Sequence, residues 1–262
     1  MKIYIPTYNR VGNVKTLQYI PSSWASRTYL VHGPGEVHNT ICHTIETPKK
    51  VEGYLSRKRQ WICDNADEKF IFQMDDDLKF FRRDSQLKLK PVTPQDMHQF
   101  FGLMEKWLEE GLAVVGCSNR FMNHALKPVY QNRLVQANYG LNLSLMRKHG
   151  IKYSDVGSIQ DQHVPLSLIE EGYTTQFTSE WAVTPSKMSA PGGCSTYRTV
   201  DIIKQDTRLF ASLHPKTVRI IEGEKVKSHC VNSGITVRID WKEAARLGTT
   251  RRAARAGCSQ TV

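Results

Sequence analysis

Phe70-Ile71-Phe72-Gln73-Met74-Asp75-Asp76-Asp77 is a short β-rich apolar run that ends abruptly in three carboxylates. A similar run, Lys2 to Pro6, opens the chain and gives way to the polar turn Thr7-Tyr8-Asn9-Arg10, followed by a predicted helix through Leu17. Between the two lie a strand candidate at Thr28 to His32, stopped by Gly33-Pro34-Gly35, and an amphipathic helix predicted over Gly53 to Asn65. Strands alternating with helices of this length predict a doubly wound, mostly parallel α/β sheet. Ligands of such sheets bind beyond the carboxyl ends of the strands, so Thr7 to Arg10 and Asp75 to Asp77 are expected to line one pocket.

Farther along, Thr93-Pro94-Gln95 opens a helix with Phe100, Phe101, Met104, Trp107 and Leu108 at helical spacing, ended by Gly111. Leu112 to Gly116, Leu134 to Asn138, Leu141 to Leu145 and a run from Tyr173 read as strands, and Pro165 to Glu171 as a short helix stopped by Gly172. Ser186 to Tyr197, with Pro191-Gly192-Gly193, reads as a loop suited to a lid. After Thr236 to Ile239, the helix-prone stretch Trp241 to Gly257 carries Lys242, Arg246, Arg251, Arg252 and Arg255 as a basic surface. The expected division is a domain over 1–230 and a basic C-terminal extension over 231–262.

The 262 residues suffice for one large core, and 40% hydrophobic with 23% charged residues is ordinary soluble usage, which excludes disordered and fibrous classes. No apolar run reaches the roughly 18 residues of a membrane span, and the start lacks a signal-like apolar core. The six cysteines form no CxxC pair, which fits reduced thiols in a cytosol. A formal charge of +11 points equally to nucleic acid as partner and to a positive groove that receives nucleotide phosphates.

Three adjacent carboxylates repel one another unless a cation neutralises them. In extended chain Asp75 and Asp77 face one side and Asp76 the other, so the first and third suit a shared Mg²⁺ or Mn²⁺ that also grips a diphosphate; the bland reading is an acidic turn. Ser56 and Arg57, at the start of the helix before that strand, are placed to hold a phosphate or base, against the alternative of a solvated face. Asp161, in Gln160-Asp161-Gln162-His163, is the candidate general base, with a simple N-cap as its rival. His229 is a candidate third metal ligand, and His163 competes with it.

Ile3 to Arg10, Gln73 to Asp77 and Gln160-Asp161 together resemble the GT-A superfamily of glycosyltransferases, and in particular its inverting family-two branch, over roughly residues 1 to 230. The resemblance implies a Rossmann-like, mostly parallel sheet flanked by helices, and an enzyme that moves a sugar from a UDP-sugar with Mn²⁺ or Mg²⁺. It further implies that Pro6, Thr7 and Arg10 line the nucleotide site, with Tyr8 of the same turn beside them, and that Arg57, next to Ser56, contacts base or phosphate. Asp75 and Asp77 would meet ribose and metal, and Asp161 would be the base; from the residues themselves, Asp76 is placed with Asp75 at the nucleotide and His229 with the metal. Gln160 stands where the family carries Glu, and Glu36 is offered where members carry an Asp that reads uracil. Size and charge also look like the phage-type TET-associated enzymes that glycosylate hydroxymethylated bases, making DNA the expected acceptor in a host cytoplasm. A glycan or protein acceptor, or nucleotidyl transfer, are the alternatives; the latter lacks its Gly- and Lys-rich loop after the first strand.

Overall fold

The computed structural model describes residues 1–120, 127–133, 137–184, 198–226 and 233–258. Strands β1 (Lys2–Pro6), β2 (Thr28–His32), β3 (His43–Glu46) and β4 (Phe70–Met74) are followed by β5 (Lys79–Arg83), β6 (Leu89–Pro91), β7 (Val114–Asn119), β8 (Val129–Gln131), β9 (Asn138–Asn142) and β10 (Thr175–Thr184). They form one sheet in the order β3-β2-β1-β4-β9-β7-β10-β5-β6, with β8 paired to β10. The register relations make β1, β2, β3, β4, β6, β7 and β10 run one way and β5, β8 and β9 the other, so the sheet is mostly parallel in direction, as predicted. Helices α1 (Ser22–Ala25), α2 (Leu55–Asn65), α3 (Pro94–Glu109), α4 (Leu143–His149) and α5 (Gln160–Glu170) accompany it.

Both faces of the sheet are covered. On one, Met97, Phe100, Phe101, Met104 and Leu108 of α3 are buried against Ile3, Ile5, Phe72 and Val115, with Phe72 edge-on to Phe100 and Phe101. A capping box between Thr93 and Asp96 fixes the start of α3. On the other face Ile62 and Cys63 of α2, Leu143 and Met146 of α4, and Val164 and Leu168 of α5 pack on Ile71, Val114, Tyr139 and Leu141.

The chain passes from β1 outward through β2 and β3, then returns to place β4 on the opposite side of β1. The crevice beyond β1 and β4 is therefore the point where strand order reverses, the usual ligand position in an open α/β sheet. Continuing the register Tyr4↔Gln73 brings Pro6 opposite Asp75.

Several boundaries differ from expectation. The predicted helix through Leu17 is a 3₁₀ turn at Lys15–Tyr19, because Thr16 is drawn to Asp75 and Asp76: its hydroxyl donates to the Asp75 carbonyl at 2.7 Å and its N–H to the Asp76 carbonyl at 3.1 Å. The strands expected at Leu134 to Asn138 and Leu141 to Leu145 are one strand, β9, whose centre is Gly140; residues 134–136 lie outside the described residues. A Cβ at Gly140 would sit 2.8 Å from Val115 and 2.9 Å from Leu108, so glycine here permits close packing of α3 and does not break the strand.

A third cluster lies beneath α6 (Val200–Leu213), the hairpin β11 (Val218–Glu222) and β12 (Ile235–Ile239), and α7 (Trp241–Cys258), where Ile159, Leu166, Ile169, Phe210, Val218 and Ala244 are buried together. A division at 230 would separate β11 from β12, which pair antiparallel from Val218↔Ile239 to Glu222↔Ile235. The expected helix over Trp241 to Gly257 is α7, but its charge is partly neutralised: Arg251 and Arg255 pair with Glu171, and Arg246 with Glu243. No helix among the described residues is long and apolar enough to cross a membrane.

Candidate active site

The turn after β1 and the aspartates after β4 meet as the strand order requires. Thr7 donates from Oγ1 to Asp76 Oδ2 at 2.6 Å, and Arg10 donates from Nη1 to Asp76 Oδ1 at 2.8 Å while standing 3.1 Å from Asp77 Oδ2. Burial lifts the Asp76 carboxyl to about 7 against the opposing pull of Arg10 and the Thr7 hydrogen bond. Asp76 is thus a bracing group that fastens the β1 turn to β4; Pro6 and Thr7 are buried there, and Tyr8 lies with its ring 5.7 Å from Lys58 Nζ.

Asp75 faces the other way. Arg59 of α2 is fully buried, and it donates to Asp75 Oδ1, to the Tyr139 hydroxyl, and at 2.8 Å to Gln160 Oε1, with its guanidinium 5.1 Å from the Tyr139 ring centre. One side chain therefore joins α2, the end of β4, β9 and the start of α5. Gln160 accepts the Arg59 hydrogen bond that a Glu would accept, without adding a further carboxylate. The Asp75 carboxyl is raised chiefly by burial; Arg59 opposes this, and the neighbouring charges of Asp77 and Asp161 add to it.

Asp161 occupies the first turn of α5, where the helix dipole favours a carboxylate. It is not the N-cap, a position held by Ile159. Its Oδ1 is shielded from solvent and accepts no hydrogen bond among the described residues.

Other expected residues lie elsewhere. Arg57 is exposed on the outer side of α2, over the Tyr54 ring at 4.7 Å, while Ser56 is buried; the cations that α2 turns inward are Lys58 and Arg59. Lys58 donates to the Thr7 carbonyl at 2.6 Å and pairs with Glu52 at 2.9 Å, and burial lowers its pKa. Leu55, Arg59, Ile62 and Cys63 share one helical stripe, which is the signal that separates Arg59 from Arg57. Glu36 is held by the N–H groups of Asn9 at 3.1 Å and Gly33 at 3.3 Å and by His38 at 3.1 Å, so it braces the β1 and β2 loops.

His163 turns away from the aspartates: its Nδ1 is 2.9 Å from His214 Nε2, and its Nε2 is 3.5 Å from Asp155. His229 and the expected lid, Ser186 to Tyr197, lie outside the described residues. Among the described residues no three His, Cys, Asp or Glu side chains are grouped to hold a metal. Asp76 and Asp77 share Arg10 while Asp75 turns to Arg59, so the alternation expected of extended chain, with Asp75 and Asp77 on one side, is not kept; both are still carboxylates that fit Mg²⁺ or Mn²⁺, since such ions complete their shell with water and substrate phosphate.

Residues 1–193 match the sequence profile of the TET-Associated Glycosyltransferase family. The chain belongs to that family. TET-associated glycosyltransferase is thus the enzyme class, and β1, β4, Arg59 and Asp161 all fall within the matched span. Two relatives, the Beta-glucosyl-HMC-alpha-glucosyl-transferases of Enterobacteria phages T6 and T2, are each 24% identical over 218 residues, covering 76% of both chains. In fold, the family member is similar to mannosyltransferase PcManGT from Pyrobaculum calidifontis, solved with GDP-Man and Mn²⁺, at a TM-score of 0.56 and 12% identity over 100% of this chain and 75% of that one. It is also similar to S. aureus TarS 1-349 with UDP-GlcNAc, at a TM-score of 0.55 and 13% identity over 81% of this chain and 66% of that one. The GT-A expectation for the fold is met.

Proposed function

We propose that this glycosyltransferase moves a sugar from a UDP-sugar to a hydroxyl on a hydroxymethylated base in DNA, with inversion at the anomeric carbon and with help from Mn²⁺ or Mg²⁺. The observation that carries this reading is the unpaired, solvent-shielded Asp161 Oδ1 at the start of α5, in the same charge network as Asp75 and Arg59. The DNA acceptor rests on the names of the phage relatives and on the +11 charge. The nucleotide-sugar donor and the metal are supported by the ligands of PcManGT and TarS.

Asp161 takes the proton of the acceptor hydroxyl as that oxygen attacks the anomeric carbon from the face opposite the diphosphate; the bond to the diphosphate oxygen breaks and UDP leaves with the electron pair. Arg10 and Arg59 set fixed positive charge beside the aspartates, where negative charge grows on the departing diphosphate. A cation bound by Asp75 and Asp77 would supply further stabilisation of that charge. Asp76, braced by Thr7 and Arg10, keeps the two walls of the crevice in register. A buried base reaches such a site only after extrusion from the stack or in an unpaired strand.

The purified protein, given UDP-glucose, MnCl₂ and DNA containing 5-hydroxymethylcytosine, is expected to add one hexose per modified base by mass spectrometry. Glucosylated hydroxymethylcytosine DNA, unmodified DNA and an oligosaccharide serve as competing acceptors. Transfer to the oligosaccharide alone would overturn the DNA reading, and a product with the donor's anomeric configuration would overturn inversion.

A further inference from the structure

The positive charge expected on α7 is held largely by Glu171 and Glu243, but another basic surface takes its place. An open groove of roughly 1090 Å³ is lined by Arg133, Lys216, Arg219, Arg238 and Lys242, beside Trp241. These five cations are exposed, and none has an ion-pair partner among the described residues. Two carboxylates also line the groove, and both are engaged: Glu243 pairs with Arg246, and Asp240 accepts from the Glu243 N–H at 3.0 Å.

Arg219 and Arg238 stand directly opposite each other across the β11–β12 ribbon. Like charges in that position destabilise a ribbon, so no folding requirement accounts for them. Strand alternation puts Arg219 on the face opposite the buried Val218, and Ile221 beside it is 41% exposed. The inward face rests on α6, leaving a charged two-stranded ribbon presented outward.

We propose that this ribbon face, with Lys216, Lys242 and Arg133, is a seat for the phosphodiester backbone of duplex DNA, separate from the crevice where the sugar is transferred. It deepens the DNA-acceptor reading and rests on it. Thr217 of the groove wall hydrogen-bonds Glu170 at the far end of α5, nine residues from Asp161, or about 14 Å along the helix. Asp161 and Glu170 lie at the two ends of α5, so the groove lies at the end of that helix away from the crevice. Contacts of this kind position the duplex without reading its sequence.

The test uses the full chain and an unmodified duplex oligonucleotide, with anisotropy titrations across a range of KCl. The double variant Arg219→Gln, Arg238→Gln removes two phosphate contacts, so its log–log salt slope is expected to be shallower by about 1.8, with up to ~60-fold weaker binding at 0.1 M salt. Its hydrolysis of UDP-glucose, and transfer to a hydroxymethylcytosine trinucleotide too short to reach the groove, stay at wild-type levels. Its thermal midpoint is expected to hold or rise as the opposed charges vanish. Lys216→Gln with Lys242→Gln, away from the strand pairing, repeats the measurement should the first pair disturb the ribbon. An unchanged slope in both pairs, or equal loss of binding to polyglutamate, overturns the seat. Lack of transfer to any hydroxymethylated DNA by the wild type, with the slope change present, overturns the acceptor instead.

Discussion

Arg59→Met removes the side chain that joins α2, β4, β9 and α5. Taking one partner from a buried ion pair costs about 3–5 kcal/mol, chiefly because the remaining charge is left uncompensated. Asp75 keeps 29% of its side chain exposed, so water takes over part of its solvation and the lower end, about 3 kcal/mol, applies. For a chain of this length that corresponds to a fall of roughly 6–12 °C in the thermal midpoint. The Asp75 carboxyl, already raised by burial, rises further without Arg59, so donor turnover falls most at acidic pH. Asp75→Asn in the same background removes the stranded charge and recovers part of the stability, giving a coupling on the order of 1–3 kcal/mol in a double-mutant cycle. Urea unfolding of the four proteins measures it. An Arg59→Met variant within about 1 kcal/mol of wild type, with turnover intact, would refute the reasoning.

Three further outcomes are expected. Asp161→Asn leaves UDP affinity near wild type and lowers transfer about 10²–10⁴-fold, read by single-turnover kinetics; equal loss of binding and rate would assign it to donor binding instead. Asp76 has its folded pKa raised to about 7 from the ordinary 3.8, so its favourable contribution is present in full below pH 4 and is lost as pH rises through 7, a change on the order of 4 kcal/mol. Asp76→Asn should therefore flatten the decline in unfolding free energy between about pH 4 and 7, and an unaltered pH profile contradicts this. Gly248→Ala should lower the thermal midpoint despite alanine's better helix propensity, because its Cβ would lie 2.0 Å from the Ile169 carbonyl and force α7 off α5; a higher midpoint would show that the helices separate freely.

What could be read in the sequence follows the strength of local signals. Lys2–Pro6, Thr28–His32 and Phe70–Met74 are continuous β-rich runs with sharp polar ends, and each forms the strand expected. Lys79–Arg83, Leu89–Pro91 and Val129–Gln131 are charged or very short strands away from the sheet's centre, formed by pairing and not by pattern, so they had no signature. The helix read as beginning at Pro165 begins at Gln160, since the proline lies inside α5 and does not open it; Asp161 therefore sits in the first helical turn and not at the N-cap. The aspartates and Asp161 could be named from sequence, but Arg59 ranks over Arg57 only when the triplet is set against the stripe of Leu55, Ile62 and Cys63. A basic triplet looks uniform until helical phase is fixed by the residues it packs on.

Isothermal titration of UDP into wild type and Asp77→Ala, each with and without MnCl₂, tests the aspartate cluster most directly. UDP should bind the wild type at least ten-fold more tightly with manganese than without, a difference of about 1.4 kcal/mol that disappears in Asp77→Ala. Equal UDP affinity in all four titrations would contradict an ion-mediated grip on the departing nucleotide.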